Sequence, residues 1–163
     1  ELLSRNPPAW DAFQTAVDRT SQQTGIQGNY AEDIDRWSSI SLLDWRRHTV
    51  RYRGFGKLEV RVLDPVYWSI GKLGRYFDLD VHDVVAVLKR KHLPASRVLR
   101  VWATALRASP RSTTLFQFRT HVEHFLRAYG RTIWGRRFDP GTAIRTFHQA
   151  AGIRLAPRKP TPS

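Results

Sequence analysis

The sequence predicts an α+β protein, an N-terminal helix, a central β-hairpin and a helix pair followed by a mainly helical C-terminal region, and three observations carry the prediction. Apolar residues recur at helical spacing in six segments, most of which open on a capping residue or a proline. Two short runs, Thr49 to Arg53 and Lys57 to Leu63, are rich in strand-forming residues and flank Gly54-Phe55-Gly56, the signature of a hairpin. The chain of 163 residues is 41% apolar and holds six tryptophans, enough to bury a core.

Each element has its own local reason. Asn6 can cap a first helix that opens on Pro7-Pro8, with Trp10, Phe13, Val17 and Thr20 on one face and Gly25 as its stop. Residues 26–46 are irregular: Gly28-Asn29 reads as a turn, Glu32, Asp33 and Asp35 as a solvated acidic cluster. Ile40 to Trp45 reads equally as a short helix or a packed loop. In the second strand Leu58, Val60 and Val62 alternate with Glu59 and Arg61, so Glu59 faces away from the side that buries the valines. Asp64-Pro65 caps the next helix, whose buried face is Val66, Ile70, Leu73 and Phe77. Lys72 and Arg75 fall off that stripe. After a break at Asp78-Leu79, Asp80 caps a further helix that buries Val81, Val84, Val85 and Leu88 and turns Asp83 outward.

Pro94 ends that unit. A helix over Ala95 to Ala108 buries Val98, Val101, Trp102 and Ala105 and leaves Arg97, Arg100 and Arg107 on one exposed stripe. Ser112 or Thr113 opens the next, with Leu115, Phe118, Val122, Phe125, Leu126 and Tyr129 inward and Gly130 as its end. His121 and His124 read as surface histidines. Arg131 to Arg137 is a basic loop around Trp134, including Arg136; it can bind a nucleic-acid backbone and stack a base, or tuck one tryptophan into the core. Asp139-Pro140 starts a last helix ending near Gly152, and residues 153–163 are proline-rich and expected to be disordered.

Charge bounds the function. The formal net charge is +13, distributed unevenly: residues 1–44 hold three basic and seven acidic groups, residues 45–163 twenty-four and seven. A polyanionic partner fits this asymmetry. So does an arginine-rich genome, since arginine outnumbers lysine twenty-two to five. Zero cysteine excludes disulfides and cysteine metal sites and fits a cytoplasmic protein. No run of eighteen apolar residues is present, so no membrane span or membrane partner is expected.

The stretch from Leu58 to Val84 resembles a known family. A strand, a D-P turn, then K-L-x-R and D-x-x-D are similar to the second half of AbiEii-type abortive-infection and toxin nucleotidyltransferases, within the DNA polymerase beta-like superfamily. The resemblance covers residues 1–92 and implies a partial nucleotidyltransferase-like fold. It gives Lys72 and Arg75 to the nucleotide phosphates and makes Asp83 a proton acceptor or a support for Lys72. It also makes Glu59, in the apolar-acid-apolar pattern Leu58-Glu59-Val60, a third metal carboxylate. The residues alone read Glu59 as a solvent-facing strand glutamate paired with Arg61 or Arg53. Asp80 with Asp83 also reads as an aspartate form of a capping box. The family's upstream G-G/S helix start and D-x-D strand, which hold Mg²⁺ and NTP, are absent from this sequence; the opening Glu1-Leu2-Leu3-Ser4 looks like the tail of that strand.

The expected organisation is a nucleotidyltransferase-like core at 1–92, a basic helical region at 93–152 packed on it, and a tail at 153–163. The expected function is transfer of NMP from NTP to tRNA or another acceptor, inactive without the D-x-D site. Two alternatives need no chemistry. In one, Arg97, Arg100, Arg107, Arg131, Trp134, Arg136 and Arg137 bind nucleic acid. In the other, the basic surface meets an acidic antitoxin protein.

Overall fold

The computed structural model describes residues 7–26, 40, 44–56 and 58–153. The chain divides into two units, residues 1–37 and 38–163. In the first, helix α1 (Pro7–Thr24) has Trp10 stacked on Phe13 at 5.9 Å, three residues along one face. The acidic cluster Glu32, Asp33 and Asp35 lies outside the described residues, as does the tail beyond residue 153.

In the second unit a 3₁₀ turn, Trp45–His48, leads into the hairpin β1 (Thr49–Phe55) and β2 (Leu58–Leu63). The strands pair antiparallel from Thr49↔Leu63 to Phe55↔Leu58, with a bulge at Tyr52, where the register shifts between Arg51 and Arg53. The valine-burying face expected for β2 is not found. Val62 is half exposed, and Val50, Tyr52 and Phe55 are exposed on β1. The described helices leave this two-stranded ribbon largely uncovered, so alternation in its sequence has no core to point into.

Asp64 caps α2 (Pro65–Arg75) as its sequence implies: Val66 N donates to Asp64 Oδ1 at 2.9 Å, and Pro65 takes the first helical position, where no N–H is needed. Tyr76 then closes the helix at φ 60°, its N–H donating to Lys72 O. This left-handed residue removes Phe77 from the buried stripe, and Phe77 is 68% exposed. The helix α3 (Asp78–Arg90) starts three residues earlier than expected. Phe77 occupies its N-cap without a side-chain bond, so neither Asp80 nor a capping box starts it.

Helix α4 (Ala95–Ala108) follows the Pro94 stop, and Leu99 and Leu106 join its buried side. Helix α5 (Thr113–Trp134) opens on Ser112, whose Oγ accepts from Leu115 N at 3.2 Å. Ser112→Ala is expected to destabilise the fold by about 1 kcal/mol, read as a lower urea midpoint, by leaving that N–H without its cap. Gly130 does not end α5. The helix runs one turn further and stops at Gly135, whose φ of 90° suits only glycine. Residues 131–134 are therefore helix, where the sequence suggested a loop. Helix α6 (Pro140–Ala150) closes the unit, capped by Asp139.

The core is helical. α5 packs against α2, α3, α4 and α6 and supplies Phe118, Val122, Phe125 and Leu126, all fully buried. Trp102 of α4 sits edge-on to Phe125, and its indole N–H donates to Ser69 Oγ at 2.9 Å, so its one polar atom is satisfied inside. No described helix is long and apolar enough to cross a membrane.

Candidate functional site

The structure brings four of the charged residues read from the sequence together between α2 and α3. Asp80 is their centre. Its side chain is 7% exposed, and both oxygens are occupied: Oδ1 accepts from Lys72 Nζ at 2.8 Å and Arg75 Nη2 at 3.0 Å, Oδ2 from Arg75 Nε at 3.1 Å. Lys72 Nζ also donates to Asp83 Oδ2 at 2.9 Å and lies 5.3 Å from the Trp68 ring centre. The geometry follows from the local fold. Lys72 and Arg75 occupy the last turn of α2, and the left-handed Tyr76 reverses the chain so that the first turn of α3 returns beside them. Asp80 also sits in the first turn of α3, where the helix N-terminus favours negative charge.

The cluster is electrically neutral, with two cations against two carboxylates. Burial works to raise the Asp80 pKa, but the hydrogen bonds from Arg75 and Lys72 outweigh it and hold the carboxyl below its usual range. Burial pulls Lys72 down, yet Asp80 and Asp83 carry it net upward, so it stays charged. Arg75 is raised chiefly by its hydrogen bonds to Asp80. Such a set ties two helices together. A phosphate meeting Lys72 or Arg75 would reach only their remaining N–H groups, beside two carboxylates that already offset the charge.

Glu59 stands on the hairpin. Its Oε1 accepts from Arg61 at 2.6 Å and its Oε2 lies 3.6 Å from Arg51 across the ladder. The hydrogen bond from Arg61 holds its carboxyl below the usual range. Among the described residues no three His, Cys, Asp or Glu side chains come together as metal ligands.

The basic residues distribute differently. Arg97 is taken up by Asp64 Oδ2 at 2.5 Å. Arg100 and Arg107 are exposed on α4, Arg131 on the last turn of α5, and Arg136 and Arg137 in the turn before α6; none of these five pairs with a described carboxylate. Trp134 is part of the packing. Its Nε1 donates to Leu93 O at 2.8 Å and its ring lies 4.8 Å from Phe138.

Two groups were not legible in the sequence. His121 stacks on Tyr76 at 4.4 Å, with its Nδ1 2.9 Å from Leu73 O, and His124 Nδ1 lies 2.7 Å from Tyr76 Oη. The two histidines therefore clasp the strained turn rather than face solvent alone. Glu123 joins Arg119 and the buried His148 at 2.8 and 2.7 Å. The spacing of Arg119 and Glu123 signals their pair, but nothing local signals His148, twenty-five residues on.

No protein-family model, curated protein or solved structure matches this chain.

Proposed function

We propose that this chain is a basic module that binds a nucleic-acid backbone through the exposed face of α4 and the α5–α6 turn. One observation carries the reading: the cations expected to meet a nucleotide, Lys72 and Arg75, are already neutralised by Asp80 and Asp83, whereas Arg100, Arg107, Arg131, Arg136 and Arg137 are exposed and have no described acid partner. Free guanidinium groups on rigid helices gain from releasing the counterions of a polyphosphate. Paired ones gain less, because a neighbouring carboxylate already offsets their charge and repels the phosphate. The 3₁₀ turn adds Arg46 and the hairpin Arg53, whose guanidinium groups lie over aromatic rings and also lack a described carboxylate.

The test is fluorescence anisotropy with labelled single-stranded RNA across a salt series. Binding is expected to weaken steeply with salt and to need neither Mg²⁺ nor NTP. The double substitution Arg100→Gln/Arg107→Gln is expected to lower affinity about tenfold at moderate salt and to flatten the log–log salt slope by about 2. A salt-independent affinity, or one unchanged in the double variant, overturns the reading.

A second reading keeps the nucleotidyltransferase resemblance, and the contact between Lys72 and Asp83 favours it, since the resemblance makes Asp83 a support for that lysine. On this reading the chain is part of a larger transferase whose basic helices hold a tRNA or other acceptor. Nucleotide transfer by a longer protein, lost in Lys72→Ala with the fold retained, supports it; transfer that survives Lys72→Ala removes it.

A further inference from the structure

A cavity of about 310 Å³ lies between the 3₁₀ turn, α2 and the outer face of α4. Its lining is His48, Tyr67, Arg97, Arg100 and Thr104, over an apolar floor of Val101 and Ala105. We propose that this cavity binds a phosphomonoester, the terminal phosphate of a nucleotide or of a nucleic-acid strand. The inference deepens the nucleic-acid-binding reading, on which it rests, by naming the group recognised.

The chemistry favours a dianionic phosphate over an internal phosphodiester. Arg100 supplies a full uncompensated charge, and a terminal phosphate carries nearly twice the charge of a backbone phosphate at neutral pH. Arg97 is tied to Asp64, itself held by Val66 N, so this guanidinium is fixed in place and its remaining N–H groups are oriented. His48 and Tyr67 stack at 3.9 Å, with Nε2 2.8 Å from the phenol oxygen. Whichever of them holds the proton between them, one donor is left over: His48 Nδ1–H or the Tyr67 hydroxyl. Thr104 spends its own proton on Arg100 O, leaving its oxygen as an acceptor for a ribose hydroxyl. A cavity of this size is at the small end for ligand sites and accommodates a mononucleotide's phosphate and sugar.

The full chain is titrated by calorimetry with AMP, adenosine and inorganic phosphate. By anisotropy it is titrated with one RNA 12-mer bearing either a 5′-phosphate or a 5′-hydroxyl. AMP is expected to bind and adenosine not. The 5′-phosphate RNA is expected to bind roughly tenfold tighter than its 5′-hydroxyl twin, a preference abolished by Arg100→Gln and reduced by Tyr67→Phe. Arg107→Gln, on the same helix but outside the cavity, is expected to weaken both RNAs equally. Inorganic phosphate competing with AMP identifies the phosphate as the recognised group; no competition counts against it. Equal, salt-dependent binding of both RNAs with no AMP binding overturns the cavity proposal and leaves the backbone-binding reading standing. AMP binding with no RNA binding does the reverse.

Discussion

Asp80→Asn is expected to destabilise the fold by about 3 kcal/mol, the scale for breaking a buried ion pair by removing one partner. Asparagine keeps the volume and removes the charge. Lys72, whose side chain is 20% exposed, then retains only the exposed Asp83 as a charged partner, and Arg75 keeps at most one hydrogen bond of its fork. An amide cannot accept all three donors with one oxygen, and its NH₂ group is brought against cations. Asp83→Asn is the contrasting variant. That carboxylate is 54% exposed, and its pair with Lys72 is screened by water, so its loss is expected to cost less than about 1 kcal/mol. Urea unfolding of the two variants, with unchanged slopes, measures both. Equal costs would show that Asp80 is not the centre of the cluster.

The same cluster fixes the acid limb of stability. The Asp80 carboxyl is held below its usual value in the folded state. Its contribution is therefore present above the unfolded value of about 3.9 and is lost as pH falls through the folded value. Lys72 is shifted upward, so its share is complete below its unfolded value of about 10.4 and is lost only as pH rises through the folded one. The stability gap between the wild-type chain and Asp80→Asn is thus expected to stay flat from about pH 5 to pH 9 and to close below about pH 4. A gap that persists unchanged at pH 2 would assign the effect to packing instead of charge.

What was legible in the sequence was local. Asp64-Pro65 and Asp139-Pro140 declare helix starts because cap and proline act within one turn, and the arginine stripe of α4 follows from its period alone. What was not legible depends on how the chain reverses. Phe77 continues the apolar spacing of α2, and only the left-handed Tyr76 shows that the helix has already ended. Asp80 carries every sequence mark of a cap, yet the early start of α3 turns it onto Arg75 and Lys72. His124 is exposed, as its place on α5 implies, but the contacts of both histidines with Tyr76, far earlier in the chain, are not written in the sequence. The resemblance rests on residues of the same helix pair, α2 and α3. It assigned Lys72 and Asp83 to chemistry, and the geometry adds a partner, Asp80, that already satisfies the lysine.

Gly130→Ala is expected to destabilise the fold by about 2 kcal/mol, against the usual gain of about 1 kcal/mol for that change inside a helix. A Cβ on Gly130 would overlap the Phe138 ring at Cε1 and lie 2.7 Å from Cδ1, far inside contact distance. The Phe138 ring cannot swing away freely, because it packs on Trp134, whose indole N–H is committed to Leu93 O. Glycine is thus required here for the approach of the segment after α5 to that helix, and not for a turn. Phe138→Ala opens the space at the cost of its own contacts. In the double variant Gly130→Ala/Phe138→Ala, the glycine change is expected to regain its ordinary helix-favouring sign, giving a coupling of about 2 kcal/mol or more in a double-mutant cycle. Trp134 fluorescence reports the displacement locally in the single variant. If Gly130→Ala proves stabilising in the wild-type background, the close approach of Phe138 to α5 is not what holds this end of the helix in place.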